Sequence, residues 1–131
     1  MAVLDLDRGV NGGGVDYAKE LDDLVNIVVQ ENASDLHLSE GRNPTIRVAG
    51  FLVPLIKKPI LTKEYTLGLF SAMVSKPILE KFLESKECDY AYQHGDLARF
   101  RGNAFFQQGA ISIAMRLIPK KIRTLQELTL P

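Results

Sequence analysis

Apolar and polar residues alternate through Leu97–Ile118, on both sides of the pair Gln108-Gly109. Alternation with a period of two is typical of strands that bury one face, and a residue followed by glycine often forms a tight hairpin turn. A loop of two or four residues would set Arg101 opposite Arg116, whereas a loop of three would shift the register. The pattern therefore predicts a β-hairpin whose register depends on the loop length.

In the register of the two-residue loop, one face of this hairpin is apolar and the other carries the facing pair Arg101 and Arg116. Like charges directly opposite each other destabilise a sheet. The planar guanidinium suits carboxylates and phosphates. The two side chains therefore either splay into solvent, pair with acids elsewhere in the fold, or bind an anion, and the hairpin alone leaves these alternatives open.

Three other segments carry apolar residues at helical spacing, and each begins with a capping signal. The first starts after Asp16 and ends near Glu31-Asn32, the second starts after Thr62, and the third follows Ser75 with Pro77 in its first turn. We predict that these helices face one core with the following residues: Tyr17, Leu21, Leu24, Val25 and Val28 in the first, Leu69, Phe70, Met73 and Val74 in the second, and Ile78, Leu79, Phe82 and Leu83 in the third.

The remaining strands are predicted at Ser34–Ser39, Thr45–Val48, Phe51–Leu55 and Asp89–Gln93. Pro54 indicates a sheet edge, and we expect His94 in a solvent-exposed turn. The element order is one helix, three strands, two helices and three strands. It predicts an α+β fold in which one antiparallel sheet of about six strands has its helices packed on one face and a polar second face.

Composition narrows the function classes. The 131 residues include 16 basic and 16 acidic side chains, so a strongly basic nucleic-acid footprint is absent. Cys88 is the only cysteine and allows neither an intrachain disulfide nor a cysteine metal cluster; we expect it to be a small packed residue. No apolar stretch approaches the ~20 residues of a membrane-spanning helix, and no signal-peptide pattern opens the chain.

Four motifs in order resemble one family: Ala-Ser-Asp-Leu-His-Leu at 33–38, Ile-Arg-Val-Ala-Gly at 46–50, Arg-Phe-Arg-Gly-Asn at 99–103 and Met-Arg-Leu-Ile-Pro at 115–119. Together they resemble the N-terminal domain of the type IV pilus ATPases, and most closely the retraction motors, within the type II/IV secretion ATPase superfamily. The family often has Asp-Gly where this chain has Ala49-Gly50, and an apolar β-branched residue where it has Gly102. These departures leave the subfamily open.

The resemblance implies a PAS-like domain over residues 16–119, a flexible lead-in at 1–15 and the start of an interdomain linker at 120–131. In the family this domain is joined to a RecA-like motor domain that uses ATP and Mg, and the subunits form hexamers. The chain contains no Gly-x-x-x-x-Gly-Lys-[Ser/Thr] sequence, so we expect an ATPase parent but no hydrolysis and no cofactor for this piece alone.

The same resemblance implies the partners and the place of action. Own and neighbouring motor domains of a homohexamer are the expected partners, together with the pilus machinery of the inner membrane. We expect a cytoplasmic protein that is held peripherally at that membrane, without direct insertion and without nucleic acid.

Two arginines of the family's N-terminal domain reach the nucleotide phosphates held by the motor domain, and they match Arg101 and Arg116. The hairpin pattern sets the same two residues side by side without reference to the family. The resemblance therefore implies a regulatory and oligomerisation domain that supplies both arginines to the motor domain. No catalytic residue is expected in this chain.

The polar face is expected to carry four more candidate residues. Asp35 and His37 lie two apart on one strand face, which permits a catalytic or metal pair, but no third ligand has metal spacing. A structural pair of Asp35 with Arg47 is the favoured interpretation, and the family adds docking of the motor domain. Arg99 is expected to be a salt-bridge or interface residue.

Two other functions compete with this interpretation. Residues 101–106 imitate the start of an RNP1 motif of RNA-binding modules, but Asn103 and Gln108 stand where stacking aromatics are needed. A PAS-like sensor of a small ligand would need an enclosed cavity between sheet and helices. The bulky core candidates Leu36, Phe70, Phe82, Phe100 and Phe106 disfavour such a cavity.

Overall fold

Three helices and six strands follow one another in the predicted order within residues 14–119, which are the residues that the computed structural model describes. The elements are α1 (Tyr17–Gln30), β1 (Asp35–Ser39), β2 (Thr45–Val48), β3 (Phe51–Pro54), α2 (Lys63–Ser71), α3 (Lys76–Ser85), β4 (Glu87–His94), β5 (Ala98–Gln107) and β6 (Ala110–Ile118). The predicted α+β class is confirmed. Except for Gly14 and Val15, the predicted lead-in at 1–15 lies outside the described residues, as does the predicted linker at 120–131. No helix within the described range combines the length and the hydropathy of a membrane-spanning segment.

All six strands join one antiparallel sheet in the order β3-β2-β1-β6-β5-β4. The long hairpin of β5 and β6 turns at Gln108 and Gly109, whose φ angles of 54° and 81° are those of a two-residue turn with a positive φ at both positions. Arg101 consequently lies opposite Arg116, as the two-residue loop predicts. Of the two edge strands, β3 contains Pro54, as expected for an edge.

The helices cover one face of the sheet, which we call the inner face. Aromatic rings fill the space between the two layers: Phe70 lies 4.9 Å from Phe82 and 5.3 Å from Tyr90, and Phe82 lies 5.0 Å from Phe106, all between ring centroids. Phe100, which belongs to β5, is also fully buried in this space. Dry packing of this kind is the main source of stability in a domain of this size.

Helix starts match the sequence prediction closely. The Asp16 side chain accepts a hydrogen bond from the Lys19 amide at 3.1 Å, and Thr62 accepts one from the Tyr65 amide at the same distance. In α3 the predicted inward stripe is partly wrong, because Ile78 is 41% exposed while Leu79 and Phe82 are buried.

The sequence prediction is also wrong about His94. Strand β4 is longer than predicted and includes it, and its side chain is only 17% exposed. Its Nε2 lies 2.8 Å from Asp22 Oδ1 on α1, and its Nδ1 lies 2.6 Å from the Tyr92 hydroxyl. The imidazole therefore links the helix layer to the edge of the sheet.

Candidate functional site

The sheet face turned away from the helices, which we call the open face, carries the residues of interest. One straight line of opposed residues crosses all six strands there, and we call it the arginine row: Leu52, Arg47, Asp35, Arg116, Arg101 and Ala91. It contains three guanidinium groups and one carboxylate. Each strand contributes one residue, so the row exists only because the strand registers agree across the whole sheet.

The row is placed by the inner face. Leu36 on β1, Phe100 on β5 and Met115 on β6 are buried under the helices, and each precedes or follows a row residue by one position. Successive side chains of a strand point to opposite faces. Burying these apolar residues therefore turns Asp35, Arg101 and Arg116 to the open face.

Asp35 is the fixed acid of the row. It is only 8% exposed, and the Ser34 hydroxyl donates a hydrogen bond to its Oδ1 at 2.6 Å. Arg47 Nε lies 3.8 Å from Asp35 Oδ1, so the predicted pair of these residues is present as an ion pair. The Arg47 side chain also donates a hydrogen bond to the Gly50 carbonyl at 3.2 Å, which holds it beside the acid.

Arg116 is the more exposed partner of the same acid. Its Nε lies 3.6 Å from Asp35 Oδ2, longer than the 2.7–3.2 Å of a normal hydrogen bond, and its side chain is 78% exposed. A pair at this distance, with one member largely exposed to solvent, contributes little to stability. The guanidinium is therefore available for a stronger acceptor at small cost.

Arg101 is exposed next to Arg116 and has no ion pair among residues 14–119. It borders, together with Arg47, Asp35 and Arg116 of the row, a shallow depression of about 400 Å³ on the open face. The residues that line the depression include three guanidinium groups and the carboxylates of Asp35 and Asp89, so the depression carries a surplus of one positive charge. Such a surface is suited to a multiply charged anion.

His37 follows Asp35 by two residues on β1 and lines the same depression. Its Nε2 is buried with no hydrogen-bond partner in the described part of the chain. Burial lowers the pKa of the imidazole, and the charge of Arg47 lowers it further against the opposite effect of Asp35. The lowered pKa favours the neutral form of the His37 imidazole. Residues 14–119 contain no cluster of three acidic, histidine or cysteine side chains suited to a metal.

Arg99 lies outside the row. It is on the open face of β5 opposite Ile118, as expected, and is exposed without an ion pair among the described residues. It also borders a groove of about 590 Å³ at this end of the sheet, together with Val29 and Pro119. Its separation from Asp35 makes it a useful comparison residue of the same charge.

Sequence reasoning missed the acid on the far side of the depression. Asn103 donates a hydrogen bond to Asp89 Oδ1 at 2.6 Å, and both residues line the depression beside the arginine row. Their pairing follows from the β4–β5 register, which no local pattern in the sequence of β4 indicates. Asn103 also occupies the position where an RNA-binding module would carry its first stacking ring, and here it holds a carboxylate.

Comparison with known proteins gives a consistent result over most of the chain. The type IV pilus ATPase PilU of Pseudomonas aeruginosa is 32% identical over 115 residues, which are 86% of this chain and 29% of PilU. The type IV pilus retraction ATPase PilT of the same organism is 34% identical over 109 residues, which are 83% of this chain and 31% of PilT. The chain thus spans about a third of the length of these relatives. No protein-family model matches it.

Solved structures agree with the sequence relatives. A crystal structure of the pilus retraction motor PilT with bound ADP has a TM-score of 0.70 and 31% identity, over 83% of this chain and 32% of that one. The ATPase DotB of Legionella pneumophila has the same fold, with a TM-score of 0.68 at 24% identity over 87% of this chain and 33% of DotB. The described domain is a homologue of the N-terminal domain of the type IV pilus ATPases, within the secretion ATPase superfamily.

Proposed function

We propose that this chain is the PAS-like regulatory and oligomerisation domain of a hexameric type IV pilus ATPase, and that Arg101 and Arg116 contact the phosphates of a nucleotide held by the motor domain. The observation that supports this most directly is the side-by-side placement of two exposed guanidiniums on the open face, one of which forms no ion pair within residues 14–119. A phosphate arriving from a separate domain would relieve their mutual repulsion.

The chemistry asked of the two arginines is charge neutralisation. In nucleotide hydrolases the transition state carries negative charge spread over the equatorial oxygens of the transferred phosphoryl group, and an arginine that stabilises this charge accelerates hydrolysis by on the order of 10³–10⁵. Arg101 and Arg116 fit phosphate oxygens because their forks are exposed on one face. We assign the binding of Mg and the tight binding of ATP to the motor domain of the parent, where a P-loop would bind both.

Oligomerisation is assigned to the sheet edge at β3. Large apolar side chains are exposed there: Phe51 at 74%, Ile56 at 79%, and also Leu52, Val53 and Ile60. Contiguous exposed apolar surface commonly marks a protein interface. We propose own and neighbouring motor domains as its partners, with the polar residues Asp35, His37, Arg47 and Arg99 on the docking side, in a cytoplasmic motor attached to the pilus machinery of the inner membrane.

Hydrolysis by the chain alone is not part of the proposal, since its 131 residues contain no P-loop sequence. The role assigned to it is to sense the nucleotide from outside the motor domain. When the subunit closes, the two arginines would reach the phosphates and couple hydrolysis to rotation of one domain against the other.

ATPase rates of the full-length parent test the proposal. Arg101→Ala and Arg116→Ala are each expected to lower kcat by at least tenfold, with a smaller change in the KM for ATP, because the contact is made in the closed transition state. Arg99→Ala is the matched control, since it removes the same charge from the same strand and face. Rates within twofold of the parent for both row variants would remove the proposed role.

A further inference from the structure

We propose that Asp35 is a positioning residue that competes with phosphate for Arg116. The acid holds Arg116 in the row while no other anion is bound, and it releases that arginine, but not Arg47, when phosphate arrives. The inference rests on the proposed function, because it takes phosphate as the anion. According to this inference, Asp35 determines how tightly the arginine row binds an anion.

The two members of the Asp35–Arg116 pair are held very differently. The side chain of Asp35 is 11% exposed and is bonded to Ser34, whereas the side chain of Arg116 is 78% exposed and approaches the acid only to 3.6 Å. The carboxylate is therefore the fixed member and the guanidinium is the member that can swing. Only Arg116 has the freedom to change partner.

Arg47 makes the release of Arg116 inexpensive. Removing the partner of a buried carboxylate is strongly destabilising when it leaves the charge uncompensated. Here Asp35 Oδ1, the carboxylate oxygen that does not face Arg116, remains 3.8 Å from Arg47 Nε. The Arg47 side chain in turn donates a hydrogen bond to the Gly50 carbonyl. The acid therefore retains one cation and one hydroxyl donor after Arg116 has moved.

Arg101 supplies the first contact in this exchange. It lies next to Arg116 in the row and forms no ion pair among residues 14–119. A phosphate attracted by Arg101 would draw Arg116 towards itself, because a dianion between two guanidiniums replaces their repulsion by attraction. Asp35 opposes that last step, so its removal should tighten anion binding.

The test is a titration of the 131-residue chain with inorganic pyrophosphate, followed by NMR at the Nε–Hε groups of its arginines. For Asp35→Asn, which preserves the shape of the side chain, we expect the apparent Kd to fall about threefold, the range of a partly exposed ion pair. Adding Arg116→Ala to Asp35→Asn should abolish that gain. A role of Asp35 in fold stability alone predicts a lower melting temperature with unchanged or weaker binding.

Asp89→Asn is the matched control, since it removes one negative charge from the same depression without touching the row. A gain as large as that of Asp35→Asn would indicate a general field effect and overturn the proposal, as would an unchanged Kd for Asp35→Asn. Should Asp35→Asn unfold the chain, Arg47→Ala gives a second measurement. It leaves Asp35 to Arg116 alone, so it should weaken pyrophosphate binding more when Arg116 is present than in an Arg116→Ala background, and equal losses in the two backgrounds contradict the exchange.

Failure of this inference differs from failure of the proposed function. If Arg101→Ala and Arg116→Ala slow the parent ATPase but Asp35→Asn leaves the pyrophosphate Kd unchanged, the arginines keep their role and the competition is wrong. If the ATPase is indifferent to both arginines but Asp35→Asn tightens pyrophosphate binding, the exchange exists without serving hydrolysis.

Discussion

The two faces of the sheet obey different rules, and β5 carries both. On its inner face Phe100 and Ala104 are completely buried under the helices, and Gly102 lies against a tyrosine ring. On its open face Arg99 and Arg101 are exposed within the same few residues. On the inner face the volume of a side chain decides whether it fits, whereas on the open face the charge of a side chain matters most.

This difference explains how the domain can hold an unfavourable charge arrangement. The two-residue turn at Gln108 and Gly109 fixes the register of β5 and β6, and that register places Arg101 opposite Arg116 without help from either side chain. Stability supplied by one face tolerates a cost of a few tenths of a kcal/mol on the other. The open face is therefore free to be arranged for a ligand.

The sharpest test of the comparison uses two phenylalanines of one strand. Phe100→Ala, on the inner face, should lower the free energy of unfolding by about 3–5 kcal/mol, because it leaves a large cavity in close-packed surroundings. Phe105→Ala, on the partly exposed open face, should cost about 1 kcal/mol or less. Urea unfolding followed by circular dichroism measures both, and similar losses would mean that the open face is packed in solution.

A second test changes the inner face by a single methyl group. A Cβ at Gly102 would overlap the ring of Tyr90, its partner on β4, so Gly102→Ala should displace that ring and cost about 1–3 kcal/mol. Without this contact the same change would stabilise the strand, since glycine is a poor strand residue. A loss of unfolding free energy in Gly102→Ala therefore supports the contact with Tyr90, and a gain contradicts it. Asn103→Ala changes the neighbouring residue on the open face and is measured for comparison.

A third, smaller effect concerns pH. His37 borders the charged depression of the open face, and its Nε2 is buried. Its pKa is lowered in the folded state, chiefly by burial, so the unfolded chain binds the proton more readily. Its contribution to stability is therefore present above its unfolded pKa of about 6.5 and is lost as the pH falls below it. His37→Gln should flatten the fall in unfolding free energy between about pH 7.5 and about pH 5.5.

NMR titration of the His37 ring gives the direct measurement for that prediction. A midpoint at or above that of an unstructured histidine would contradict it. His94 provides the internal comparison, because it is the second histidine of the chain and its ring nitrogens lie against Asp22 and Tyr92.

Much of the fold follows from local patterns in the sequence. The alternation of β5 and β6 around Gln108-Gly109 gives the strands, the turn and the facing arginines, because a two-residue turn fixes the register. Helix caps at Asp16 and Thr62 are equally local. Ile78 was misassigned because the third helix contacts the sheet along a narrower stripe than its apolar residues suggest.

The candidate site is less accessible to sequence reasoning, because it is assembled from distant strands. The arginine row needs the β1–β6 pairing, which joins Asp35 to Arg116 across most of the chain, and no local pattern states it. The same holds for His94, since its acid Asp22 is contributed by α1. The sequence predicted which strand residues form the polar face, and the order of the strands in the sheet decided which of them meet.

The smallest expected effect isolates the repulsion within the row. Arg101→Gln keeps much of the side-chain stem but removes one of two facing charges, so it should raise the free energy of unfolding by about 0.2–0.5 kcal/mol at low ionic strength. In about 1 M salt the Debye length shrinks to about 3 Å, and the gain should vanish. Arg99→Gln, opposite the uncharged Ile118, should show neither the gain nor its salt dependence. If the two variants behave alike in urea unfolding at both salt concentrations, facing guanidiniums place no strain on this sheet, and relief of repulsion cannot be what draws a phosphate to the row.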